Sequence, residues 1–209
     1  MLLPPEDYAP RSLRNADART RRRALLDAAH VRPLARFAAA LRQNPGVEVP
    51  DFDPLDGGIK ARALFLFEKP GPMTADSAVG RRQGSGLISR NNDDPTAEAT
   101  FNFMVEAGLP REFTVTWNAV PWWNGTRKIT RSELIAGIDS AKELISLLPE
   151  LRVVILVGAK AARARPFLSE TGSVILQSDH PSPLVRARFP DRWRAIPTAW
   201  AAVRPYIER

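Results

Sequence analysis

"RVVILVG" (152–158) decides the fold. Val153 to Val157 are five consecutive aliphatic residues. A strand with one wet face alternates apolar and polar residues, whereas a strand covered on both faces need not. This segment is therefore read as an interior strand of a sheet sandwiched by helices. Working outward, "RALFLFE" (62–68), "FTVTWN" (113–118) and "SVILQS" (173–178) have the same short apolar character, and each runs into a turn. Strands are expected at 62–67, 113–118, 152–157 and 173–178. Helical patterns separate them. In 94–109, Asp94 suits the N-cap, Pro95 the first turn and Gly108 the C-cap. In 130–148, Thr130 and Glu133 have the spacing of a capping box. "AKAARARPFL" (159–168) and 197–208 complete the set. Strands alternating with helices predict an α/β three-layer sandwich, with a central four-stranded, mostly parallel sheet and helices on both faces.

Residues 11–43 read as a basic helical run that Pro33 breaks in two. "NPGVEVPDFDPLDGG" (44–58) carries three prolines and three glycines and reads as a linker or irregular wrap. The expected organisation is a basic helical N-terminal extension over 1–50 and one α/β domain over 51–209.

Composition narrows the partners. The 209 residues include 30 Lys plus Arg against 23 Asp plus Glu, a formal charge of +7. That balance favours polyanions, nucleic acid above all. The chain has no cysteine, which excludes disulfides, thiolate metal sites and a cysteine-held iron–sulfur cluster. With two histidines, a zinc site would have to lean on carboxylates. No glycine-rich dinucleotide or P-loop fingerprint is present. No cofactor, metal or membrane partner is expected, and the default expectation is a cytoplasmic monomer.

In parallel sheets ligands sit beyond the carboxyl ends of the strands. Three unusual segments fall there: "FEKPGP" after the first strand, "NAVPWWNG" after the second and "DHPSPL" after the last. In the last, prolines flank Ser182, and each ring fixes its own φ and restricts the residue before it. Such a loop holds His180 stiffly. Trp122 and Trp123 are expected to be core at a sheet corner.

Together these segments resemble the uracil-DNA glycosylase superfamily. "HPSPL" (180–184) is similar to its second motif, "EKPGP" (68–72) to its first, and "WNAV" (117–120) to the strand end whose asparagine reads the uracil edge. "GSGLISRNND" (84–93) resembles the segment that supplies a stacking residue over the base. The likeness covers roughly residues 60–190. It implies a cofactor-independent enzyme that flips uracil out of DNA and cuts its N-glycosidic bond. His180 would stabilise the departing anion. Asn118 would offer acceptor and donor to the uracil edge. Pro70 and Gly71 would line the pocket, and Leu87 would cover the base, with Ile88 or Phe101 as sharers of that task. Leu184 would wedge into the gap in the stack. Ser182, Pro183, Arg186 and Arg188 would lie along the DNA.

The first motif departs from the pattern. The resemblance places an aspartate or asparagine at the position of Lys69. A cluster-bearing branch instead carries a glutamate at the position of Glu68. Glu68 is therefore the expected catalytic carboxylate, with Asp76 and Asn92 in reserve. Two alternatives stay open: a glycosylase for hypoxanthine, xanthine or mismatched thymine, and a non-catalytic DNA-binding relative.

Overall fold

The computed structural model describes residues 3–44, 46–74, 78–79 and 82–208. All four expected strands form, each beginning one residue later than the sequence reading: β1 (Ala63–Phe67), β2 (Thr114–Asn118), β3 (Val153–Val157) and β4 (Val174–Ser178). They make one sheet in the order β2-β1-β3-β4, and every neighbouring pair is parallel. The register sets Phe67 beside Asn118 and Val157 beside Ser178, so all four carboxyl ends open on one edge.

Alternation along each strand builds two cores. Leu64, Leu66, Val115, Trp117, Val154 and Leu156 face one layer, formed by α2 (Arg32–Leu41), α4 (Arg131–Ser146) and α5 (Arg165–Leu168). Ala63, Phe65, Val153 and Ile155 face the other, formed by α3 (Pro95–Glu106), α8 (Ile196–Ala201) and α9 (Arg204–Ile207). The three-layer sandwich follows directly from β1 and β3 being apolar on both sides.

Local chemistry fixes the helix ends. Asp94 accepts from the Thr96 and Ala97 amides at the start of α3. Thr130 and Glu133 close the capping box of α4. Other helical expectations need revision. The run 11–43 divides into α1 (Ala16–Arg23) and α2, with turns between, and Pro33 lies in the first turn of α2 instead of breaking a helix. A proline is tolerated there because the first amides of a helix lack partners anyway. The 159–168 segment is a 3-10 turn followed by the short α5. The closing helix is interrupted between α8 and α9.

The N-terminal segment is helical as expected, but it is a wall of the core and not an appendage. Val31, Leu34, Phe37, Ala38 and Val49 are buried in the first apolar cluster. The described part of 44–58, read as a linker or irregular wrap, also packs onto the domain. Asp51–Phe52 pairs in parallel with Leu87–Ile88, and the Phe52 ring stacks on Trp117 at 3.7 Å. Between these pieces lies a buried polar cluster. Asp53 accepts from Arg22 at 2.7 Å, from Arg111 at 2.5 Å, from the Leu55 amide at 3.0 Å and from the Ser89 hydroxyl. Asp56 accepts from Arg111 at 2.8 Å. Burial alone would raise the Asp53 carboxyl, but the Arg111 and Arg22 guanidiniums and the Ser89 hydroxyl hold it well below the usual carboxylate range.

Candidate active site

Between β1 and β3 the strand order reverses direction, and the crevice beyond their carboxyl ends is where a parallel sheet takes its ligand. Three loops meet there. Glu68 follows β1, Gly158 follows β3 and His180 follows β4. Gly158 has φ +96°. A Cβ added to it would stand 2.7 Å from Glu68 Oε1 and 3.2 Å from the His180 Cβ. The missing side chain lets the carboxylate and the histidine loop converge.

Glu68 is fixed from the β3 side. Its Oε1 accepts from the Lys160 amide at 3.0 Å, and its Oε2 lies 3.7 Å from Lys160 Nζ. His180 packs edge-on against Phe67, with ring centroids 5.6 Å apart. Burial pushes its imidazole below the ordinary 6.5; the Glu68 carboxylate opposes this, and the Arg127 and Lys160 charges reinforce it. The ring is thus neutral at neutral pH and can donate a hydrogen bond without carrying a charge. Asp179 does not orient it. Its carboxylate accepts two bonds from Arg192, at 3.0 and 2.5 Å, and so pins the loop to α7 (Pro190–Arg194). The Ser182 amide donates to the His180 carbonyl at 2.8 Å, which tightens the loop further.

Asn118 closes β2 beside Phe67 and is buried, yet its Oδ1 has no hydrogen-bond partner among the described residues. An unpaired buried acceptor costs free energy, so it calls for a ligand or water to complete it. Pro70 is buried, and the Gly71 carbonyl accepts from the Thr74 amide at 3.0 Å and its hydroxyl at 2.6 Å, which folds "EKPGP" into a turn. Beyond the histidine, Ser182 caps α6 (Pro183–Arg188) by accepting from the Val185 amide at 3.3 Å. That cap leaves Pro183 and Leu184 on the outside, and Leu184 is 64% exposed. Arg186 and Arg188 are both exposed, and the Arg186 guanidinium lies over the Trp193 ring at 5.1 Å.

A family model for the uracil DNA glycosylase superfamily matches residues 57–204. The chain belongs to that superfamily. No curated protein matches it. As a uracil DNA glycosylase superfamily member it falls among DNA glycosylases, whose work requires DNA binding. The superfamily match spans the sheet and all three loops of the crevice, and it begins after the buried cluster at Asp53 and Asp56.

Against that family background the departures have physical explanations. Lys69 does not face Glu68. Its side chain is only 3% exposed, and its Nζ donates to Glu133 Oε1 and Asn124 Oδ1, both at 2.7 Å, and to the Lys128 carbonyl at 3.1 Å. It is a tether for the loop between β2 and α4. Burial would raise Glu133, but Lys69 and Thr130 together hold it down, at about 2. Leu87 requires a correction. It is completely buried, because pairing with Asp51–Phe52 encloses it, and so it presents no open face to a base. Ile88 is part of the first apolar core, and Phe101 is half-buried on α3. Asn92 is buried, with its Nδ2 donating to the Leu87 carbonyl at 2.9 Å and its Oδ1 unpartnered among the described residues. Asp76 lies outside the described residues. Trp122 packs against the first core as expected, and Trp123 exchanges backbone bonds with Glu48.

Sequence reasoning missed Gly158, Lys160 and Arg127. For Gly158 a signal existed: it is the glycine that closes "RVVILVG". Among the described residues no group of three His, Asp or Glu is placed to hold a metal ion, and no helix is long and apolar enough to cross a membrane.

Proposed function

We propose that the protein is a monofunctional uracil-DNA glycosylase, hydrolysing the bond between a flipped-out uracil and its sugar. The observation that carries this reading is the convergence of Glu68 and a neutral His180 over Gly158, with the buried Asn118 oxygen unpartnered at the adjacent strand end. Uracil presents a donor at N3–H, which the Asn118 oxygen can accept. The amide nitrogen of the same group can donate to O4. Cytosine has the opposite pattern at those atoms. As the glycosidic bond breaks, the bond's electron pair leaves with the base. A neutral imidazole donor then stabilises the growing anion, and it gains most in the transition state. The Glu68 carboxylate balances the cation left on the sugar and accepts a proton from the attacking water. Leu184, exposed beyond the histidine, fills the space vacated in the duplex.

The test is a duplex oligonucleotide with a single uracil, incubated with the protein and cleaved with alkali. Strand scission at the uracil is expected, and Asn118→Asp should abolish most of it. Parallel substrates carry hypoxanthine, xanthine or a thymine mismatch. Preference for one of those over uracil would move the assignment to that lesion. Binding with no base released from any substrate would leave a DNA-binding relative.

A further inference from the structure

The second half of the loop between β2 and α4, around Arg127 and Lys128, was not assigned a role by the sequence, yet it is anchored beside the proposed catalytic carboxylate from two directions. Lys69, the neighbour of Glu68, donates to the Lys128 carbonyl at 3.1 Å and to the Asn124 side chain at 2.7 Å. Lys160, whose amide holds Glu68, donates through Nζ to the Arg127 carbonyl at 3.3 Å. The two tethers grip neighbouring carbonyls of the loop, so the backbone at Arg127 is fixed while its side chain reaches out.

That side chain lies across the first-motif turn. Its Nη2 is 3.4 Å, and its Cζ 3.9 Å, from where a Cβ on Gly71 would stand. Arg127 is exposed, and its guanidinium has no ion pair or hydrogen bond among the described residues. Some other arginines differ. Arg21, Arg22, Arg111 and Arg192 all end on carboxylates. An unpaired guanidinium with its backbone clamped at the rim of a crevice is poised for an external anion. Its charge reaches the crevice, since it acts against protonation of His180.

We propose that Arg127 is a phosphate-binding residue, gripping the phosphodiester beside the flipped nucleotide at the mouth of the crevice. The proposal rests on the glycosylase reading for the position of that nucleotide. A guanidinium matches a phosphate with two parallel N–H bonds, a geometry that a lysine cannot reproduce. Exposure favours phosphate over the departing base, which leaves from inside the buried crevice.

The experiment measures binding of the full chain to a duplex bearing a single 2′-fluoro-2′-deoxyuridine, which resists cleavage, across a salt series. Arg127→Gln should weaken binding and reduce the slope of log affinity against log salt by about 0.9, as expected when one fewer phosphate is neutralised. The gap from wild type should therefore narrow by roughly threefold between about 50 and about 200 mM salt. Arg127→Lys should restore the slope and recover only part of the affinity, and thermal midpoints should match wild type. An unchanged slope in a folded Arg127→Gln variant overturns the proposal. So does an unchanged slope accompanied by a slower single-turnover rate on uracil DNA, which would place the guanidinium on the base. A wild-type protein that releases no uracil, together with a reduced slope in Arg127→Gln, would sink the glycosylase reading and keep the phosphate site.

Discussion

Two polar clusters lie on this fold, and they treat the same residue types in opposite ways. Around Asp53 the carboxylates are matched: one takes bonds from two arginines, a serine and a backbone amide, all buried or nearly so, although Arg22 Nε and Arg90 Nε have no partner among the described residues. In the crevice the groups are held but left incomplete. Among the described residues Asn118 Oδ1 lacks a partner and the Arg127 guanidinium makes no hydrogen bond or close ion pair, and Leu184 stands in solvent. The first arrangement locks the N-terminal segment to strands and turns. The second stores unmet bonding capacity where a ligand can use it. Charge density does not distinguish them; the "RTRRR" stretch (19–23) is the most basic in the chain, yet its arginines bond back to the protein. Arg19 donates to the Leu13 and Arg14 carbonyls, Arg21 to Asp7, Arg22 to Asp53 and Arg23 to the Ser85 carbonyl.

The comparison predicts different kinds of damage. The largest effect should come from the cluster around Asp53. Asp53→Ala strands the buried Arg22 guanidinium and takes from Arg111 one of its two carboxylates, so it should cost about 3–5 kcal/mol of stability, read by denaturant unfolding. Any folded fraction should keep its turnover per active molecule. A stable Asp53→Ala variant with impaired chemistry would erase the division between the clusters.

Next in size is the crevice. His180→Ala should lower single-turnover base release by roughly 10²–10³-fold, the scale of a lost oxyanion donor, with the thermal midpoint little changed. Glu68→Gln should also slow release, and on the proposed reading, in which both groups act in one transition state, the double variant should lose much less than the product of the two single losses. Nuclear magnetic resonance of the two histidines sharpens the point. The His180 midpoint should fall below 6.5, because burial opposes the charged ring. The unfolded chain then takes the proton first, so this group costs stability as pH drops below 6.5, while the neutral donor persists at that pH. A midpoint above 6.5 would replace the neutral donor with an imidazolium.

The smallest effect concerns Leu184. Its exposed side chain makes little difference to folding, so Leu184→Ala should leave stability within about 0.5 kcal/mol. Base release should decline severalfold on duplex DNA and hardly at all on single strands, since only a duplex leaves a gap to fill. Equal losses on both substrates would remove the wedge from the reading.

By itself the sequence determined the sheet and which loops leave its carboxyl edge. Five aliphatic residues in "RVVILVG" can be satisfied only by cover on both faces, and the loops that follow such strands must share one edge. "EKPGP", "WNAV" and "HPSPL" therefore all lie at that edge, and proline and glycine set their turns locally. Pairings between distant segments were decided only by the tertiary structure. Nothing local in "GLIS" says that Asp51–Phe52 will lie alongside it and enclose Leu87. Nothing in "EKPG" says that Lys69 will turn from Glu68 to Glu133, 64 residues away. Nor does a run of arginines reveal whether carboxylates and carbonyls await them inside. A side chain's direction depends on which partner the fold brings near, and in a buried setting an unmatched charge or amide is costly enough to let that partner decide.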